Sequence, residues 1–266
     1  MLSVDKTPSF MFSDHDEITE SNYFSLYGCE LFQGDSLKLI QNIGDEVVDL
    51  VITDPPYNLG SHMKSRGSGV HRLRENHFST ESWDNLNDEE WKSNLRKMAQ
   101  ELFRVLKTGK SLVMFMSILR IETIKSIFEE SGFYYKTTGI WHKKNPIPRN
   151  MKINFINSTE CWIYFSKGRS TGSFNSYGKA VHDFVETGLT PMSEKKHGKH
   201  PTQKPIGVIN FFINHLSSEG DTILDVFSGS GSTCIASAIS NRNCIAFEME
   251  EKYHEIAKKR LLDVKK

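Results

Sequence analysis

The chain has 266 residues, 38% of them apolar, with 33 Lys and Arg against 33 Asp and Glu and four cysteines. That length buries a sizeable core, as one large domain or a domain with a small lobe. The cysteines form no CxxC pair, and no apolar run approaches a membrane span, so a disulfide framework, a cysteine metal site and a transmembrane protein are all excluded. Nor does the amino terminus have the charged-then-apolar layout of a signal peptide. The chain reads as a cytoplasmic protein with reduced, packing cysteines.

In chain order, residues 1–24, with Asp14, Asp16, Glu17 and Glu20, read as a mobile acidic leader. One domain, 25–266, follows. Residues 26–32 form a strand, 36–42 a short helix, and 47–53 a β-branched run with the character of a buried parallel strand. Residues 58–82 are a loop rich in Gly, Ser, His and Arg. Residues 88–106 are an amphipathic helix, with Trp91, Leu95, Met98, Leu102, Val105 and Leu106 on one face. Lys107-Thr108-Gly109-Lys110 should stop that helix before a strand at 111–116. A helix at 118–131 precedes strands at 133–143 and 159–165. Residues 167–199 show little periodicity and read as a small inserted recognition region. A helix begins at Ile206, a strand spans 221–227, a helix starts at Cys234 and a last strand covers 243–248. This alternation predicts an α/β fold with a doubly wound, mostly parallel sheet.

Two segments carry chemistry. Asp54-Pro55-Pro56-Tyr57 leaves its strand held extended by two prolines, which fix φ twice and remove two amide donors. One carboxylate, an unpaired carbonyl and an aromatic ring are thereby presented at the carboxyl edge of the sheet, where open α/β folds place ligands. A planar amine suits that equipment: Asp54 and a proline carbonyl accept its hydrogens and Tyr57 stacks on its ring. Taken alone, Asp-Pro-Pro is also ordinary turn chemistry.

The second segment is the strand ending at Asp225-Val226-Phe227, followed by Ser228-Gly229-Ser230-Gly231-Ser232-Thr233 and a helix. Strand, glycine loop and helix let backbone approach a nucleotide-like ligand. No lysine makes it a Walker loop, and Cys234 stands where a dinucleotide fingerprint wants a third glycine, which counts against a nicotinamide dehydrogenase. Glu248 follows at the spacing of a ribose-gripping carboxylate. The pattern fits an adenosine-containing ligand without a pyrophosphate.

Together, Asp54-Pro55-Pro56-Tyr57 and Asp225-Val226-Phe227-Ser228-Gly229-Ser230-Gly231 resemble the S-adenosylmethionine-dependent DNA amino-methyltransferases. The order, catalytic motif before cofactor motif, is similar to the β-group of adenine-N6 enzymes. Gly34-Asp35, Asn145-Pro146 with Pro148, Thr159-Glu160 and His200-Pro201-Thr202-Gln203-Lys204-Pro205 agree, so the resemblance spans roughly residues 27–262. It implies a Rossmann-like methyltransferase fold, S-adenosylmethionine as cofactor, and methyl transfer to the N6 amine of a flipped-out adenine. Catalysis falls to Asp54, Pro55, Pro56 and Tyr57. The cofactor falls to Asp35 for its adenine amine, Glu248 for its ribose, Thr202 and Lys204 for its carboxylate, and Phe227 facing the sulfonium. Asp54, Asp225, Ser228, Gly229, Gly231, Ser232 and Thr233 complete that set, with Asp225 shaping the loop. No metal is implied.

DNA contacts are expected where basic residues cluster. Lys64, Arg66, Arg72 and Arg74 lie in the 58–82 loop, read as a DNA-facing clamp. Lys143, Lys144 and Arg149 form a second group, and Lys195, Lys196 and Lys199 a third. The resemblance admits duplex or single-stranded DNA, a homodimer, and a cognate restriction endonuclease acting separately, in a bacterium or its phage. A cytosine-N4 methyltransferase, an RNA or protein-glutamine methyltransferase and a non-catalytic nucleic-acid-binding module remain as alternatives.

Overall fold

The computed structural model describes residues 22–57, 86–148, 153, 155–170 and 172–265. The basic residues Lys64, Arg66, Arg72, Arg74 and Arg149, the 58–82 loop and residues 1–21 of the leader lie outside that set. The described residues contain a nine-stranded sheet.

The sheet is entered through a hairpin. Strands β1 (Tyr23–Leu26) and β2 (Cys29–Gln33) pair antiparallel. The single strand expected at 26–32 is thus two, and Tyr23 and Phe24, assigned to the leader, are sheet residues. Tyr27 and Gly28 both have positive φ (57° and 73°), the backbone that a two-residue hairpin turn with the native twist requires. A short helix α1 (Ser36–Leu39) runs into a 3-10 turn at Ile40–Asn42, and β3 (Val48–Thr53) follows.

Helix α2 (Asp88–Val105) starts on a capping box: the Asn87 side chain accepts from the Glu90 amide at 2.9 Å, and the Glu90 carboxylate accepts from the Asn87 amide at 3.3 Å. Its buried residues, Trp91, Leu95, Met98, Ala99, Leu102 and Val105, recur every three or four positions. The helix ends one residue before the strand begins. Strand β4 (Leu106–Met116) absorbs Lys107-Thr108-Gly109-Lys110, the expected stop, as an irregularity in its pairing with β3. After α3 (Ile121–Glu130), β5 (Phe133–Lys143) and β6 (Thr159–Lys167) form a long antiparallel pair.

The segment read as an inserted recognition region is partly sheet. Lys167 ends β6, and its buried ammonium donates to the Leu106 carbonyl at 2.8 Å. Strand β7 (Phe184–Thr187) joins β5 in parallel at the sheet edge. Helix α4 (Ile206–Leu216), β8 (Thr222–Asp225), α5 (Ser232–Ile239), β9 (Asn243–Glu248) and α6 (Glu251–Leu262) complete the chain. The strand order is β1-β2-β9-β8-β3-β4-β6-β5-β7, and five of the eight pairings are parallel.

Helices cover both faces, so β3 is buried throughout, its Asp49 paired with Lys107 and Lys110. Val51 packs with α2 and α3 on one side; Leu50 and Ile52 pack with α4 on the other. Helices α5 and α6 cover β2 and β9 through Cys234, Ile235, Ala257 and Leu261. The four cysteines are buried and unbridged. No described helix is long and apolar enough to cross a membrane.

Candidate active site

Parallel pairing brings the two motifs together. β3 lies between β8 and β4, with Leu50 opposite Ile223 and Val51 opposite Leu224, so Asp54 and Asp225 leave the sheet at the same edge. β9 and β2 continue that edge: Asp225 lies opposite Ala246, and Gln33 opposite Glu248. The chain ends of four neighbouring strands therefore deliver Asp35, Glu248, Asp225 and Asp54 side by side.

The glycine loop is built from within. The Phe247 carbonyl accepts from the Ser228 amide at 2.9 Å, and the Asp225 carboxylate accepts from the Phe227 amide (3.1 Å) and the Thr233 hydroxyl (2.6 Å). Burial pushes the Asp225 carboxyl up to about 6, against those hydrogen bonds. Asp225 and Thr233 thus hold the loop's shape, and Ser232 donates to the Lys204 carbonyl at 2.7 Å. Gly231, at the start of α5, has φ +79°, and a Cβ there would stand 2.7 Å from the Ala257 Cβ. Only glycine lets α5 and α6 come this close. Arg260 of α6 secures the same loop by donating to the Ser230 carbonyl at 2.6 Å.

Glu248 closes the cradle. Its carboxylate accepts from the Gly229 amide at 2.7 Å and the Glu250 amide at 2.8 Å. Burial raises its pKa to about 7, with Glu250 and Asp225 adding to the rise and the two amides opposing it. Ser228 Oγ is buried with no hydrogen-bond partner among the described residues. The Asp35 side chain caps α1, accepting from the Leu37 amide at 2.9 Å. Phe227 is half-buried against the main core. Two acidic acceptors and an unsatisfied hydroxyl around a glycine turn fit a ligand rich in hydroxyl and amine donors, as an adenosine moiety is.

At the neighbouring strand end the Asp54 carboxylate is engaged on both oxygens. Oδ1 accepts from the Tyr57 hydroxyl at 2.8 Å, and Oδ2 accepts a short bond from the Lys204 ammonium. Lys204 also reaches Glu160 Oε2 at 3.2 Å, and Glu160 Oε1 lies 2.6 Å from Lys143 Nζ. Burial works against the Lys204 charge, but Asp54 and Glu160 outweigh it and hold its pKa above the ordinary value. Burial raises the Glu160 pKa, yet Lys204 and Lys143 bring it below normal. Burial and the Asp54 charge drive the Tyr57 hydroxyl well above 10, so it stays a donor. His200, buried and facing the Lys204 and Arg260 charges, falls to about 4 and is neutral. A cleft beside this group is lined by Pro55, Pro56, Tyr57, Trp91, Phe115 and Arg120.

Several expected residues sit differently. Lys204, assigned to a cofactor carboxylate, lies on Asp54 instead. Thr202 is exposed, 3.5 Å from His200 Nδ1. Lys143, assigned to DNA, turns inward onto Glu160 at 2.6 Å, because a buried carboxylate is costly unless a cation pairs with it. Lys144 is exposed and pairs with Glu186 at 3.1 Å, and Lys196 pairs with Asp263 at 2.8 Å. Lys199 is exposed and Lys195 half-buried. Glu160, quoted from the sequence only as part of a motif, proves central. Its signal was an acid opening an otherwise apolar strand.

A family model described as DNA methylase, of the N6/N4 type, matches residues 48–259. The chain belongs to this family. Among its relatives, this methylase is 31% identical over 250 residues to the type II methyltransferase M2.LlaDCHI of Lactococcus lactis subsp. cremoris, covering 90% of this chain and 91% of that one. It is 30% identical to M2.DpnII of Streptococcus pneumoniae over 249 residues, covering 90% and 91%. The crystal structure of M1.HpyAVI superposes with a TM-score of 0.64 at 26% identity, over 89% of the methylase and 100% of that chain. The cytosine-N4-specific PvuII DNA methyltransferase superposes at 0.71 with 21% identity, over 88% and 86%, a likeness of fold.

Proposed function

We propose that this methylase transfers a methyl group from S-adenosylmethionine to the exocyclic N6 of an adenine flipped out of DNA, as the modifying member of a type II restriction-modification system or as a solitary bacterial or phage enzyme. The observation that carries the reading is the meeting of Asp54, with its Tyr57 and Lys204 partners, and the Glu248 cradle at one edge of adjacent strands.

The cofactor, when bound, supplies an electrophilic methyl group. Glu248 is the acceptor for ribose hydroxyls, Asp35 for the adenine amine, and Ser228 adds a hydroxyl within the cradle. The target base enters against Tyr57, and stacking there, worth roughly 1–3 kcal/mol, offsets part of the few kcal/mol that leaving the duplex costs. The amine's lone pair is delocalised into the ring and is a poor nucleophile. Hydrogen bonds from its two N–H groups to Asp54 and the Pro55 carbonyl favour a pyramidal nitrogen with the lone pair free to attack. Asp54 acts by orientation and by its negative charge as positive charge develops on that nitrogen.

Adenine is preferred because the motif is Asp-Pro-Pro-Tyr, where cytosine-N4 enzymes more often begin with Ser. Exposed Lys144, Lys196 and Lys199 and half-buried Lys195 supply phosphate contacts, together with the basic residues of 58–82 and Arg149. The test is modified-base sequencing of DNA from a methylation-free bacterial host expressing the chain. Methyl-adenine confined to one short motif is the expected result. Methyl-cytosine would overturn the base assignment, and unmodified DNA from a host making folded, cofactor-binding protein would overturn the reaction.

A further inference from the structure

The closed state of Asp54 poses a problem for the reaction just described. Both carboxylate oxygens already have donors, Tyr57 on Oδ1 and Lys204 on Oδ2. An incoming amine shares an oxygen with one of these donors, and its own bond strengthens as that donor withdraws. Lys204 is the group that can withdraw, since its three N–H donors can be redirected while the Tyr57 hydroxyl has only one.

Where Lys204 can go is restricted. Its side chain is 6% exposed, so water cannot replace a lost carboxylate. Its backbone is pinned on both sides: Thr190 Oγ1 donates to the Gln203 carbonyl at 2.6 Å, and Ser232 Oγ to the Lys204 carbonyl at 2.7 Å. The ammonium can therefore pivot but the segment cannot withdraw. Within its arc stands Glu160 Oε2, already at 3.2 Å. Glu160 is itself fixed, on a strand residue paired opposite Trp141 and held from behind by Lys143 at 2.6 Å. The Phe115 ring lies under the ammonium at 4.9 Å, a surface over which a cation slides without losing all its partners.

We propose that Glu160 is a positioning residue for methyl transfer: it is the second seat of the Lys204 ammonium, which moves onto it from Asp54 as the target amine binds. Lys143, Glu160, Lys204 and Asp54 form an alternating row of two cations and two anions, so the shift separates no net charge. Glu160 touches neither base nor methyl group. It acts through Lys204, and the inference rests on the reading of Asp54 as the acceptor of the amine.

The test is Glu160→Gln, with Glu160→Asp as the variant that keeps the charge. Rates on cognate duplex, across a pH series, are read beside cofactor binding by calorimetry and extrusion of 2-aminopurine placed at the target position. In Glu160→Gln, Lys204 has Asp54 as its one carboxylate. The rate constant for methyl transfer should fall by about ten- to a hundredfold, the scale of a misplaced reacting group, while 2-aminopurine extrusion stays at the wild-type level. Burial raises the Asp54 pKa, Lys204 opposes the rise and the Glu160 charge adds to it, so removing that charge should also move the acid limb of the rate profile to lower pH. Glu160→Asp should restore most of the rate and the wild-type limb. A uniform loss with the limb unmoved would reduce Glu160 to a structural part and overturn the proposal, as would an unchanged rate. If wild-type enzyme itself fails to methylate, the functional reading falls and takes this one with it; wild-type activity with an indifferent Glu160→Gln removes this one alone. Should Glu160→Gln fail to fold, the Glu160→Asp profile decides, since that variant must then be folded and active with a wild-type limb.

Discussion

The proposed assignment of Glu248 to the cofactor's ribose predicts an affinity that depends on pH. The Glu248 carboxyl is buried behind the glycine loop, accepts two amides at 2.7 Å and 2.8 Å, and titrates at about 7. Ribose hydroxyls donate to the ionised form, so the cofactor binds the deprotonated protein more tightly. The sign follows: affinity rises with pH through the Glu248 pKa and is lost as the group protonates. For one group at about 7, the apparent dissociation constant should be close to its plateau at about pH 8, doubled at about pH 7 and about tenfold weaker at about pH 6, a change of about 1.4 kcal/mol. Binding at about pH 7 should release about half a proton. Calorimetric titration with S-adenosylmethionine in buffers of different ionisation enthalpy measures both quantities at once. In Glu248→Gln the affinity should be weaker by about 1–3 kcal/mol on the high-pH plateau, the scale of a lost charge-assisted hydrogen bond, and should no longer vary with pH. A wild-type affinity flat between about pH 6 and about pH 8, with no proton released, would refute the assignment of Glu248 to the cofactor.

Asp54→Ala should leave cofactor affinity within about threefold and reduce methyl transfer by about a thousandfold or more, read by tritium incorporation into cognate duplex; an active variant sinks the mechanism. Gly231→Ala should destabilise the protein by about 2–5 kcal/mol in urea unfolding, combining a left-handed backbone with overlap at Ala257. Adding Ala257→Gly should recover the overlap part, and a double variant with no such coupling would show that the two helices are not in contact through this pair. Lys199→Ala should weaken duplex binding alike for cognate and non-cognate sequences and lower the salt dependence by about one counterion; an effect confined to cognate DNA would place Lys199 at a base instead.

Much of this was legible in the chain because the informative signals are local. A β-branched run ending in Asp54-Pro55-Pro56-Tyr57 and a strand ending in a glycine loop each announce a strand end by their own residues, and parallel pairing then obliges those ends to meet. Helix α2 was equally plain from its apolar spacing and acidic first turn. What escaped were features decided by partners far along the chain. The hairpin at Tyr27-Gly28 hid because Tyr is an unusual residue at positive φ. The helix stops where 107–110 predicted, but the strand starts early, at Leu106, because Leu106 already pairs with Val48 of β3 and 107–110 bulge between that pair and Ser111. The carboxylate partners of Lys204 and Lys143 were hidden for one reason: a lysine's sequence neighbourhood says nothing of which buried carboxylate it will face, and Glu160 faces both.

The neighbour relation of β3 and β8 also has a consequence for how the protein is made. Leu50 meets Ile223 across that pairing, so one edge of β3 finds its partner only after about 170 further residues have been synthesised. At translation speeds of about 5–20 residues per second, this apolar strand waits on the order of 10–30 seconds with an open edge, the kind of surface that seeds aggregation and recruits chaperones. Nascent or truncated chains lacking the last third have a catalytic motif but no cradle beside it. The cell therefore gains methylating activity only from finished chains, and the delay between the start of synthesis and the first protected site is set by the order in which the strands were written into the gene.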